Sequence, residues 1–153
     1  MITKEDIKIC IRNEKFFLMK DLQPVVNSHG FICKNNPSVL DRHIIVSEVD
    51  KSILWINKFV NVNKLRKTLN KNENIYSYYL KHCVEKWLQS IYKKIPFYNN
   101  TYYISNGAFI AAAILCGLTA YQIDDTEFAY INIHNSDLSY FDNFIYEAFK
   151  EDN

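Results

Sequence analysis

The string Ser105-Asn106-Gly107-Ala108-Phe109-Ile110-Ala111-Ala112-Ala113-Ile114-Leu115-Cys116-Gly117 decides the fold. Ser105 or Asn106 is the cap of a compact helix over Gly107–Cys116, and Gly117 stands where a helix end calls for positive φ. Its alanines let neighbouring elements approach closely. The apolar run Ala108–Cys116 is too short to cross a bilayer. A short strand, Tyr102-Tyr103-Ile104, is expected before the helix. Beyond it, Phe128–Ile133 alternates Phe128, Tyr130 and Asn132 with Ala129, Ile131 and Ile133, the period of a second strand.

Outward from this centre the chain reads as helix. Over Ser77–Lys94, Leu80, Val84, Trp87, Leu88, Ile91 and Ile95 form an apolar stripe, with Lys81, Glu85, Gln89 and Lys93 on the polar side. Ser136 or Asp137 caps a last helix that turns Leu138, Phe141, Phe144, Ile145 and Phe149 inward. Ser47 caps a helix carrying Ile53, Trp55, Ile56, Phe59 and Val60. Val62, Leu65 and Leu69 suggest a short helix. Thr3 caps another, up to Pro24. Phe31-Ile32-Cys33 and Ile44-Ile45-Val46 are candidate short strands. The expectation is a predominantly helical α+β domain over 1–153, with five or six helices and a small two- or three-stranded sheet. Within it, 1–72 is a variable helical part and 73–153 a helix-strand-helix-strand-helix part.

Composition excludes several alternatives. The 153 residues are 48% hydrophobic and 23% charged, so the chain can bury a core. Three Gly and three Pro exclude collagen-like and turn-dense all-β designs. Charge is segregated. Residues 1–95 hold 17 of the 18 Lys and Arg against 9 acids, a net +8. Residues 96–153 hold Lys150 against eight acids, a net −7. Such a split marks a partner-binding face or two halves that attract each other. Cys10, Cys33, Cys83 and Cys116 form no CxxC, which favours free thiols in a reducing compartment. The charged start Met1–Asp6 is unlike a signal peptide. A cytoplasmic protein without membrane attachment is expected.

Motifs for chemistry are sparse. His29, His43, His82 and His134 include no pair at i, i+3 or i, i+4, and there is no HExxH or EF-hand loop. No metal is expected, since acidic loops such as Asp124-Asp125-Thr126-Glu127 are far more often solvated. GxGxxG, GxxxxGK[ST] and GxSxG do not occur, so no nucleotide cofactor is expected. Adjacent helical residues diverge by about 100°, so His82 and Cys83 do not form a Cys–His pair with each other.

Nucleic-acid binding has two candidate forms. Ala113–Ile123 carries helix-turn-helix spacing: Ala113, Gly117 in the turn, then Thr119, Tyr121 and Gln122 on a second helix. Asp124, Asp125 and Glu127 follow immediately and would repel phosphates. Separately, Lys64, Arg66, Lys67 and Lys71 head a basic stretch interleaved with tyrosines.

Tyr78-Tyr79-Leu80-Lys81-His82-Cys83-Val84-Glu85, Tyr103–Ala113, Gly117 and Tyr130–Ile133 together resemble a group of small uncharacterised proteins of bacteriophages, plasmids and other mobile elements. That group shares Tyr-x-Leu-Lys-His-x-x-Glu, Ser-Asn-Gly-x-Phe-Ile-Ala-Ala-Ala and an Asn-rich strand. The resemblance spans residues 76–133 and brings no established activity. It implies a bacterial or phage cytoplasm, where such small proteins bind host or competing machinery.

The best reading is therefore a non-enzymatic interaction protein with a protein partner. Asp124, Asp125, Glu127, Asp137 and Asp142 are its candidate partner-binding carboxylates. A concrete version inhibits a host nucleic-acid defence complex, with carboxylates standing in for phosphates. The runners-up are the helix-turn-helix regulator and a small enzyme using His82 and Glu85 or a Cys.

Overall fold

The central helix has no solvent face. Every residue from Asn106 to Ile114 is buried, as an all-apolar helix must be when it runs through a core. The structure, a computed structural model, describes residues 26–31, 44–67, 75–92 and 102–150. In chain order the elements are β1 (Val26–Asn27), β2 (Gly30–Phe31), α1 (Val46–Phe59), a 3-10 turn (Val62–Lys64) and α2 (Ser77–Tyr92). The central helix α3 (Asn106–Leu115), β3 (Ala120–Gln122), β4 (Ala129–Ile131) and α4 (Asn135–Lys150) follow. β1 and β2 pair antiparallel, as do β3 and β4, the latter in the register Ala120–Ile131, Tyr121–Tyr130 and Gln122–Ala129.

α3 packs against α1, α2, both strands of the first hairpin and β3. Its Ala-rich surface lets these neighbours come close, and large rings fill the remaining space. The Trp55 ring of α1 lies 6.0 Å from Phe109 and 5.3 Å from Phe141. Phe59 lies 4.9 Å from Phe141 and 5.9 Å from Trp87. These edge-on geometries suit aromatic quadrupoles, and burying each such side chain stabilises the fold by about 1.5–3 kcal/mol.

Both ends of α3 are satisfied by local sequence. At the start, the Ser105 hydroxyl accepts from the Ala108 N–H at 3.2 Å. At the end, Gly117 (φ +85°) permits a Schellman closure. Leu118 N–H donates to the Ala113 carbonyl and Gly117 N–H to Ile114. The corner before α3 holds the first hairpin. Gly107 N–H donates to the Ser28 carbonyl at 3.1 Å, and a Cβ at Gly107 would collide with the Asn27 backbone. The Asn106 amide donates to the carbonyls of His29 and Glu127 at 2.8 and 3.0 Å.

Several expectations are corrected. Among the described residues there are four α-helices rather than five or six, and two separate two-stranded sheets rather than one. The helix expected up to Pro24 lies outside the described residues. Ile44-Ile45-Val46 is not a strand: Val46 opens α1, with Ile45 at its cap and Ser47 already inside the helix. Of the short helix expected around Val62, Leu65 and Leu69, Val62–Lys64 is a 3-10 turn, and Leu69 lies outside the described residues. Tyr102–Ile104 is not a strand, since it joins no ladder among the described residues. α4 begins at Asn135, ahead of both expected caps. The His134 ring does the capping, its Nδ1 accepting from the Ser136 N–H at 3.1 Å. Ile91, expected inside, is exposed, while Lys81, expected outside, is buried.

The helix-turn-helix is also corrected. Gly117 does end a helix, but Ala120, Tyr121 and Gln122 then form β3. Thr119 N–H donates to the Asn132 side chain at 2.8 Å, which ties this segment to the strand beside it. There is no second helix at this position to enter a groove.

Candidate functional site

The outer face of α2 gathers the chemistry-bearing groups. Leu80, Val84, Trp87 and Leu88 anchor the helix in the core. That leaves two flanks of its remaining surface, meeting at His82.

The first flank is organised by Lys81, which is only 5% exposed. Its ammonium donates to the Ile104 carbonyl at 3.0 Å and to Glu85 Oε1 at 3.3 Å. It also lies 5.3 Å from the Tyr78 ring centroid and 4.7 Å from that of Tyr103. A cation over the face of a partly exposed tyrosine is worth about 0.5–1 kcal/mol, enough to orient both rings. Yet the tyrosines are 42% and 62% exposed. Phe128 packs edge-on to Tyr78 at 5.4 Å, and His82 at 4.6 Å.

Opposite Lys81, on the same peptide group, sits a second buried charge. The Ser105 N–H, bonded directly to the Ile104 carbonyl carbon, donates to Glu48 Oε1 of α1 at 2.7 Å. One peptide unit is therefore clamped by a cation from α2 and an anion from α1. On the Lys81 side, the bond to Ile104 and the contact with the ring fix where Tyr103 emerges.

Glu85 Oε1 also meets His82 Nδ1 at 2.8 Å. A carboxylate only accepts, so Nδ1 donates in this bond. His82 is half exposed.

The second flank is a groove of about 920 Å³ between α2 and α4. Tyr79, His82, Cys83 and Lys86 line one wall, and Phe141, Asp142, Ile145, Tyr146, Phe149 and Lys150 the other. Burial pushes the Cys83 thiol up to about 12, with the Asp142 carboxylate adding to the shift and a Tyr79 hydrogen bond opposing it. Burial likewise pushes the Tyr79 hydroxyl up to about 12, helped by Cys83 and Asp142. Both stay protonated at neutral pH, so this thiol is not poised as a nucleophile. Among the described residues no group of His, Cys, Asp and Glu is arranged to hold a metal ion. Nor is any helix among them long and apolar enough to cross a membrane.

The expected partner-binding carboxylates are dispersed. Asp124 (φ 47°) and Asp125 are exposed on the β3–β4 turn. Glu127 is half-buried there, and its backbone carbonyl holds Phe31 and Asn106. Asp137, in the first turn of α4, accepts from the Asn61 N–H at 3.0 Å. Asp142 lines the groove. Of the expected nucleic-acid residues, Lys64 and Lys67 are exposed around the 3-10 turn. Arg66 is half-buried beside them, its backbone N–H donating to the Asn132 carbonyl. Lys71 lies outside the described residues. Tyr121 and Gln122 are exposed on β3.

Sequence reading missed Tyr78 and Tyr103 as a pair and misread Lys81 as a surface group. The helical period offered a partial signal, since Tyr78, Lys81, His82 and Glu85 fall on one side of α2. Nothing local connects that side to Tyr103. No protein-family model, curated protein or solved structure matches the chain.

Proposed function

We propose that this is a non-enzymatic interaction protein that presents Tyr78 and Tyr103 to a protein partner. The observation that carries the proposal is a buried ammonium used to hold two exposed rings. Tyrosines are over-represented among the residues that dominate protein interfaces. Rings already fixed lose little further entropy on binding. Lys81 itself is engaged by Glu85, Ile104 and the two rings, which makes it a positioning group for those rings.

In its fuller form the protein belongs to a mobile element, works in a reducing cytoplasm and blocks a host nucleic-acid defence complex. The charge split and the resemblance over residues 76–133 motivate that form. Asp124 and Asp125 are its phosphate-mimicking carboxylates, exposed on the β3–β4 turn.

The test is capture of host proteins by the tagged chain, compared with Y78A/Y103A and with D124K/D125K. Loss of a partner in Y78A/Y103A, with the fold intact by circular dichroism, supports the aromatic surface. Loss in D124K/D125K supports the mimic. A partner indifferent to both variants, or no partner at all, overturns the proposal.

One observation favours an enzyme instead: a carboxylate holds a half-exposed histidine through Nδ1, the arrangement by which a general base is oriented. Under that reading H82Q abolishes a turnover activity and H82Q leaves partner capture untouched.

A further inference from the structure

We propose that α4 pairs antiparallel with the α4 of a second copy of this chain, about a two-fold axis at Tyr146. This goes beyond the partner reading and uses a different face of the molecule.

Asp142, Tyr146 and Lys150 are spaced i, i+4 and i+8, so they form one exposed ridge of α4 along the edge of the groove. All three are exposed, Tyr146 at 65%. Among the described residues neither Asp142 nor Lys150 has a salt-bridge partner; the Lys150 ammonium rests 5.8 Å from the ring of its own Tyr146. The ridge thus has an acid four residues before an exposed aromatic and a base four residues after it.

That order is self-complementary in one orientation. In an antiparallel pair centred on Tyr146, each residue faces the one equally far beyond the centre in the second copy. Asp142 then meets Lys150 of the second copy, and the same contact repeats across the axis. A parallel pair would instead set acid on acid and base on base. Two-fold contacts of this kind are the commonest among soluble oligomers.

The surroundings fit. α4 has 16 residues, so it is about 24 Å long. The groove of about 920 Å³ lies along the ridge and offers room for Tyr146 of the second copy. Tyr79, 40% exposed on the far wall, and Phe149 extend the apolar surface. Lys86 on the α2 wall adds positive charge to the groove. α2 must contribute for the contact to approach the roughly 1,200–2,000 Å² of a specific interface.

Sedimentation of the full chain over a wide concentration range tests this. A dimer is expected. D142K and K150D should each weaken it by about tenfold, because two attractive pairs become repulsive. The charge-swapped D142K/K150D should return to within about threefold of the parent, since the complementarity is restored in reverse. Y146C should form a disulfide-linked dimer on mild oxidation in greater yield than the parent with its own four cysteines. That readout stands even if a charge variant folds poorly. A chain that stays monomeric throughout, a dimer indifferent to D142K, or a double swap that fails to restore association overturns the proposal.

Discussion

Glu48 and Lys81 hold opposite sides of one peptide group, yet they serve different parts of the molecule. Glu48, on α1, accepts from the Ser105 N–H in a closed region, next to the Ser105-Asn106-Gly107 corner that pins the first hairpin. Lys81, on α2, donates to the Ile104 carbonyl and opens onto two exposed tyrosines. Each buried charge has a strong partner, as burial requires. The difference lies in what surrounds the partner. Backbone encloses the Glu48 side, where change should disturb only folding. Rings in water border the Lys81 side, where change should disturb recognition as well.

The sharpest way to break this comparison is Gly107→Ala. The added methyl meets the Asn27 backbone, which cannot move without dismantling the hairpin. A loss of about 3 kcal/mol or more is expected in urea unfolding. A loss under about 1 kcal/mol would show that the corner is not rigid.

Glu48→Ala comes next. It removes a charge-assisted hydrogen bond to a buried N–H, worth about 1.5–3 kcal/mol. Partner capture by the folded fraction should be unchanged. Lys81→Met should destabilise by a similar amount, about 2 kcal/mol, and also impair capture because the rings lose their anchor. Since both side chains bind one peptide unit, the double variant should be non-additive by about 0.5–3 kcal/mol. Strict additivity in a denaturation cycle would mean that the two sides act independently.

A smaller effect should appear in alkali. The folded protein holds the Cys83 thiol at about 12 against an ordinary 9.0. The native state therefore keeps a proton that the unfolded chain releases. That contribution to stability is complete below pH 9.0 and is lost as pH rises from there towards about 12. Melting temperature should fall across this window, and Cys83→Ala should flatten the fall; an equal slope in the variant would assign it to other groups, Tyr79 first among them.

The smallest change expected in stability is Tyr103→Ala. At 62% exposure, losing the ring and its Lys81 contact should cost no more than about 1 kcal/mol. A shift above about 2 kcal/mol would make Tyr103 a structural residue and remove it from the proposed surface.

Features that depend on near neighbours in the chain were legible in the order of residues. Ser105 capping α3, Gly117 ending it, the alternation through Ala129–Ile131 and the anchoring residues of α2 all follow from local hydrogen bonding and from periods of two or 3.6 residues. The tertiary structure alone decided the rest. Lys81 reads as half of a surface pair with Glu85 until Ile104 and Tyr103, more than twenty residues away in the chain, close over it. Val46 likewise reads as strand by propensity and Tyr121 as helix by its helix-turn-helix spacing, but Val46 opens α1 and Tyr121 pairs with Tyr130. The free energy of burying a charge, or of completing a ladder, depends on atoms that only the folded chain brings within reach, and no local pattern encodes them.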